Sequence, residues 1–201
     1  MEQTMSILIL AGGKSSRMDY KDKACLPLGN DTFLSSLYKR LKPYTEQIII
    51  SEGKMTRRDY GADFANVCFV RDIYEDCGPL GGLYTGLKEC RNDLCFVAAC
   101  DMPYLEYALY EYLFGFVTDE VDAVIPLLEG RKQPLAGIYK KRLEPKVKEQ
   151  LDSKDNTMKH FLDTISVKYV EVGDQERYRA MLQNINTTEE YKELKKHEGS
   201  N

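Results

Sequence analysis

The chain has 201 residues, 43% of them apolar and 30% charged, which excludes a disordered polymer and suits a single domain with a full core. Lys and Arg total 28 against 32 Asp and Glu, a net charge of −4. That balance argues against nucleic-acid or anionic-membrane partners, although a local basic patch can still bind a small anion.

Met5 to Leu10 is a short apolar run stopped by Ala11-Gly12-Gly13. Its length and the glycines predict a buried strand. Gly12 to Gly29 is rich in Gly, Ser, Lys and Asp and reads as a long, functional loop. Thr32 to Leu41 carries apolar residues at helical offsets, with Asp31 or Thr32 to cap it and Pro43 to end it. Gln47–Ser51 and Val67–Val70 predict two further strands, the second followed by Asp72. Gly78-Pro79 opens a helix over Leu80–Cys90. Leu94–Cys100 predicts a strand ended by Asp101-Met102-Pro103, then a helix over Tyr104–Phe116 and a strand over Val121–Leu128.

Beyond that point the pattern predicts a strand over Gln133–Tyr139, helices over Lys140–Leu151 and Thr157–Leu162, a strand over Val167–Val172 and a charged helix over Thr188–Lys196. Strand and helix in alternation predict an α/β fold with a mostly parallel sheet and helices on both faces. No linker or repeat divides the chain, so residues 1–193 are expected to form one domain and 194–201 a flexible tail.

The six cysteines form no CxxC pair, and only His160 and His197 are present to join them at a zinc site. They read as small apolar thiols of a reducing compartment. No segment reaches membrane length and the N-terminus lacks a basic start, so a cytoplasmic location is expected.

The chemistry concentrates after the first strand, where an open α/β sheet binds its ligands. Gly12 to Ala24 holds Lys14, Arg17, Lys21 and Lys23 against Asp19 and Asp22. Glycines that bare backbone N–H groups, beside a local excess of positive charge, suit a phosphate. Gly13-Lys14-Ser15 is not a P-loop, because the earlier glycine that a P-loop needs is Leu8. Asp72 and Asp101 follow the third and fourth strands, so a parallel sheet brings both to that edge. Mg²⁺ in phosphate chemistry commonly takes one or two protein carboxylates. Asp101 is the stronger candidate, although an Asx turn before Pro103 would also use it.

Leu10-Ala11-Gly12-Gly13, Arg17-Met18 and Asp22-Lys23 together resemble the signature of the molybdenum cofactor guanylyltransferases. Gly78-Pro79-Leu80-Gly81-Gly82, Cys100-Asp101-Met102-Pro103, Arg131 with Gln133-Pro134-Leu135, and Asn184-Ile185-Asn186-Thr187 are similar to the family's later motifs. The resemblance implies a Rossmann-like single domain of three α/β/α layers around a mostly parallel sheet, of the nucleotide-diphospho-sugar transferase type. It implies transfer of GMP from GTP to molybdopterin, with release of pyrophosphate.

By that resemblance Leu10, Ala11, Gly12, Gly13, Asp72 and Gly78 would contact the nucleotide. Lys14, Arg17 and Lys23 would bind its phosphates, and Asp101 would hold Mg²⁺. Gln133, Asn184 and Asn186 would lie toward the pterin, and partner proteins would deliver the cofactor. Ser51 stands where many members have Asn, and Asp19 where Gly is common. Attack by a phosphate oxygen needs no strong side-chain base, which agrees with the scarcity of histidine. The alternatives are a sibling transferase that uses CTP or another phosphorylated acceptor, and a nucleotide-binding regulator without catalysis.

Overall fold

The computed structural model describes residues 5–12, 23–54, 64, 67–173 and 176–198, with residues 197 and 198 described by backbone alone. The chain opens with β1 (Ser6–Leu10), every residue of which is buried. β2 (Pro27–Leu28) and β3 (Asp31–Thr32) form a small antiparallel hairpin. Gly29 at its tip has φ of +56°, a conformation that an L side chain rarely adopts.

Thr32 then caps α1 (Phe33–Leu41) with a reciprocal box. Its hydroxyl accepts from Ser35 N at 3.1 Å, and Ser35 Oγ accepts from Thr32 N at 2.8 Å. β4 (Gln47–Ser51) and β5 (Cys68–Val70) follow, then α2 (Gly78–Glu89) and β6 (Leu94–Ala99). Next come α3 (Tyr107–Phe114), β7 (Ala123–Leu128), β8 (Arg131–Lys132) and β9 (Ile138–Lys140). The chain continues through α4 (Glu144–Asp152), α5 (Met158–Asp163), β10 (Val167–Glu171), α6 (Glu176–Met181) and α7 (Thr188–Glu198).

The main sheet runs β10-β7-β9-β6-β1-β4-β5, with β8 paired to β7. Its neighbours are parallel except where β9 lies antiparallel between β6 and β7, and where β8 meets β7. The mostly parallel sheet of the sequence reading is therefore present. Side chains alternate between two cores. Ile7 and Ile9 of β1 join α1, α3 and α6 on one face, while Leu8 and Leu10 join α2, α4 and α5 on the other. Burying each such side chain stabilises the fold by about 1.5–3 kcal/mol. A third cluster joins Leu26, Leu28 and Phe33 to Ile185 and to Leu194 of α7.

Two expectations need correction. Gln133–Tyr139 is not one strand, because Pro134–Ala136 forms a 3₁₀ turn and pairing begins at Ile138. Pro134 has no N–H to donate to a ladder, which accounts for the delay. The helix expected from Lys140 begins at Glu144, after a 3₁₀ turn over Lys141–Leu143. At the C-terminus α7 ends at Glu198, and its Leu194 is buried. None of the six cysteines is in a disulfide, and Cys90, Cys95 and Cys100 are buried.

Glycine at α2 is dictated by contact. A Cβ on Gly86 would lie 2.2 Å from Leu8 Cδ2, and one on Gly82 would lie 2.7 Å from Leu10 Cδ2. The helix thus rests directly on β1, at the expense of helix propensity at both positions. That approach brings the start of α2 to the carboxyl ends of the strands. Among the described residues, no helix is long and apolar enough to cross a membrane.

Candidate active site

β1, β4, β5 and β6 all end on one edge of the sheet. The chain goes outward from β1 to β4 and β5, then returns through α2 to β6 on the other side of β1. This reversal of strand order is where open α/β sheets bind ligands. A cleft lies there, lined by Leu10, Ala11, Gly12, Lys23, Asp72, Gly78 and Asp101 among others. These are seven of the positions selected from sequence. Gly13, Lys14 and Arg17 lie outside the described residues.

Gly12 makes the cleft possible at its β1 end. Ala11 N and Gly12 N both donate to Ser51 O, at 2.8 and 3.0 Å. A Cβ on Gly12 would stand 2.5 Å from Gly53 N and 2.6 Å from its Cα, so only glycine permits this approach of two backbones. On α2, Gly78 has φ of +60°, which likewise disfavours a side chain.

Asp101 follows β6 in a tight turn, with Met102 N donating to Ala99 O at 3.1 Å. Its Oδ2 accepts from Lys23 Nζ at 3.2 Å. The two side chains are 23% and 17% exposed, so water screens the pair only weakly. Lys23 Nζ also donates to Asn186 Oδ1 at 2.6 Å. Asp101 Oδ1 is buried and has no hydrogen-bond partner. A buried acceptor left open in this way fits a hard cation, which takes oxygen ligands. Among the described residues no group of three or more His, Cys, Asp or Glu could hold a metal ion, so further ligands would come from the bound substrate or water.

On the β4 side, Ser51 Oγ donates a hydrogen bond to Asp72 Oδ1. Burial pushes the Asp72 carboxyl above its ordinary value, and the Ser51 bond opposes that rise. Ser51, Gly82 and Leu135 also line the cleft. Ser51 closes β4 after three isoleucines, and that lone hydroxyl at the strand end is its only mark in the sequence. The next residue, Glu52, is 6% exposed, and its Oε1 has no hydrogen-bond partner.

Gln133 and Asn184 are not among the residues that line the cleft. Gln133 N donates to Pro126 O at 2.9 Å. Asn186 reaches the site through Lys23.

A family model described as the MobA-like NTP transferase domain matches residues 7–172. The chain belongs to this family. A Clostridium perfringens (strain 13) protein named "probable molybdenum cofactor guanylyltransferase" is 36% identical to this transferase over 194 residues, 94% of this chain and 95% of that one. A Bacillus cytotoxicus protein of the same name is 32% identical over 190 residues, 93% and 94% of the two chains. Molybdopterin-guanine dinucleotide biosynthesis protein A from Archaeoglobus fulgidus superposes with a TM-score of 0.80 at 18% identity, covering 98% of this chain and 100% of that one. The bifunctional IspDF of Campylobacter jejuni superposes with a TM-score of 0.71 at 19% identity, covering 95% and 54%. At those identities the two structures show that the transferase shares their fold.

Asp72 offers a test by pH. The folded state holds the Asp72 proton more tightly than the unfolded chain does. Between the unfolded pKa, about 3.9, and the raised folded one, stability therefore falls as pH rises. Asp72→Asn removes this loss. Urea denaturation of the MobA-like transferase from pH 3.5 upward is expected to show the variant gaining on wild type as pH rises, then a constant difference. Parallel curves throughout would contradict a desolvated carboxylate.

Proposed function

We propose that this chain transfers GMP from GTP to the phosphate of molybdopterin and releases pyrophosphate. The observation that carries this reading is the placement of Asp101. One of its oxygens is paired to Lys23 and the other is buried and open, beside the Gly12 turn at the reversal of strand order. The names of the curated relatives support the choice of nucleotide and acceptor.

In this reading the backbone at Leu10, Ala11 and Gly12 holds the nucleotide, and Asp72 and Gly78 bound it on the α2 side. Lys23 binds phosphate and offsets the charge that grows as the bond at the α-phosphorus breaks. Asp101 Oδ1 would be the protein ligand of Mg²⁺, which supplies Lewis-acid neutralisation of the phosphates when bound. The acceptor attacks through a phosphate oxygen that is already ionised, so the chain need not take a proton from it.

Base choice is tested by ligand stabilisation. With Mg²⁺, GTP at ten times its dissociation constant adds about 1.4 kcal/mol to stability. In a domain of this size that raises the melting temperature by roughly 3–6 °C. Equal concentrations of ATP, CTP and UTP are expected to give smaller rises, and molybdopterin with GTP to release pyrophosphate. A CTP rise equal to that of GTP would contradict the guanine assignment and favour a cytidylyl transferase.

A further inference from the structure

The segment that leads into α7 is tied to two charged residues of the cleft, Lys23 and Asp101. Ile185 N donates to Asp101 O at 2.9 Å, which fixes the segment before α7 to the Asp101 turn. Asn186 N and Thr187 N both donate to Glu190 Oε2, at 2.6 and 2.9 Å, and Glu190 N donates to Thr187 Oγ1 at 3.1 Å. This is a reciprocal capping box. Its effect is to hold the Asn186 backbone, and with it the amide oxygen that meets Lys23 Nζ. On the other side, Tyr191 Oη donates to Pro27 O at 2.8 Å, four residues beyond Lys23.

We infer that Asn186 is a positioning residue, which acts on the nucleotide through Lys23 and does not itself bind the pterin. The inference rests on the phosphate role proposed for Lys23. An ammonium only donates, so Asn186 must present its oxygen to Lys23, and that bond fixes the orientation of the amide. The chemistry also suits the task. Asp101 already gives Lys23 one negative neighbour. A second carboxylate would cancel the charge that a phosphate needs. A neutral amide oxygen fixes the direction of the ammonium and leaves its charge available.

The test is a double-mutant cycle on Lys23→Ala and Asn186→Ala, read as the Mg-GTP dissociation constant without acceptor and as kcat/KM for GTP with it. Asn186→Ala is expected to weaken both by about 10- to 100-fold, the scale of one hydrogen bond to a charged group. The double variant is expected to equal Lys23→Ala alone, because Asn186 has nothing left to position. Multiplying losses would overturn the proposal. So would an Asn186→Ala protein that binds GTP like wild type and raises only the KM of the acceptor, since that is direct pterin binding. If Lys23→Ala alone loses nothing, the phosphate role of Lys23 fails, and the proposal with it. Should Asn186→Ala not fold, Glu190→Ala breaks the capping box at a distance and enters the same cycle, with the same non-additivity expected.

Discussion

Asp101→Asn is expected to lower turnover by about 10²–10⁴-fold, equivalent to roughly 3–5 kcal/mol of barrier. The geometry gives a reason beyond the lost charge. Lys23 Nζ lies 3.2 Å from Asp101 Oδ2 and requires an acceptor there. The amide of the variant must therefore turn its oxygen to Lys23. Its NH₂ then occupies the place of Oδ1, the buried oxygen that has no partner. A donor replaces an acceptor at the point where a cation would sit. Raised Mg²⁺ is expected to recover part of the loss, because weak metal binding is its cause. The measurement is turnover against Mg²⁺ concentration for both proteins. Turnover like that of wild type at low Mg²⁺ would reduce Asp101 to a turn residue.

Lys23→Ala is expected to cost about 10²–10³-fold in turnover, the scale of one preorganised electrostatic contact. Its effect on folding differs from that of a solvated lysine. The ammonium is held by Asp101 and Asn186 with 17% of its side chain exposed. Removing it leaves a carboxylate largely shielded from water without its counter-charge. A stability loss of about 1–3 kcal/mol follows, less than for a fully buried pair because some solvent reaches Asp101. A domain with about 5–15 kcal/mol of stability survives that loss. Lys21→Ala is the control, since Lys21 belongs to none of the motifs. Equal losses in the two variants, in turnover and in melting temperature, would indicate a diffuse basic patch.

The sheet was legible because its central strands β1, β4 and β6 are buried on both faces. Ser6–Leu10, Gln47–Ser51 and Leu94–Ala99 are continuous buried runs, and the helices between them repeat at helical spacing. Strand direction leaves no such mark. Ile138–Lys140 reads like any short strand, and nothing in its three residues shows that it enters antiparallel between β6 and β7. Pro134, which has no N–H to donate, is the local mark against a continuous strand from Gln133. In the site, the glycines, Lys23 and Asp101 stood out because glycine and charge are costly where an apolar strand ends. The Ser51–Asp72 bond and the Lys23–Asn186 bond were not legible. Each joins residues far apart in the chain, 21 and 163 positions respectively, and no periodicity spans such distances.

The separation of 163 residues between Lys23 and Asn186 also sets an order of assembly. At about 5–20 residues per second, a ribosome makes Lys23 roughly 8–30 s before it makes Asn186. Well before its end β1, β4, β5 and β6 are all synthesised, and Asp101 with them. Leu26, Leu28 and Phe33 meanwhile lack Ile185 and Leu194, the residues that complete their cluster. Nascent chains stalled before residue 185 would therefore carry the glycine turn and the acidic turn but expose an apolar patch beside them. Closing that patch and fixing the Lys23 ammonium draw on the same segment, Ile185 to Leu194, so both wait for α7 to leave the exit tunnel.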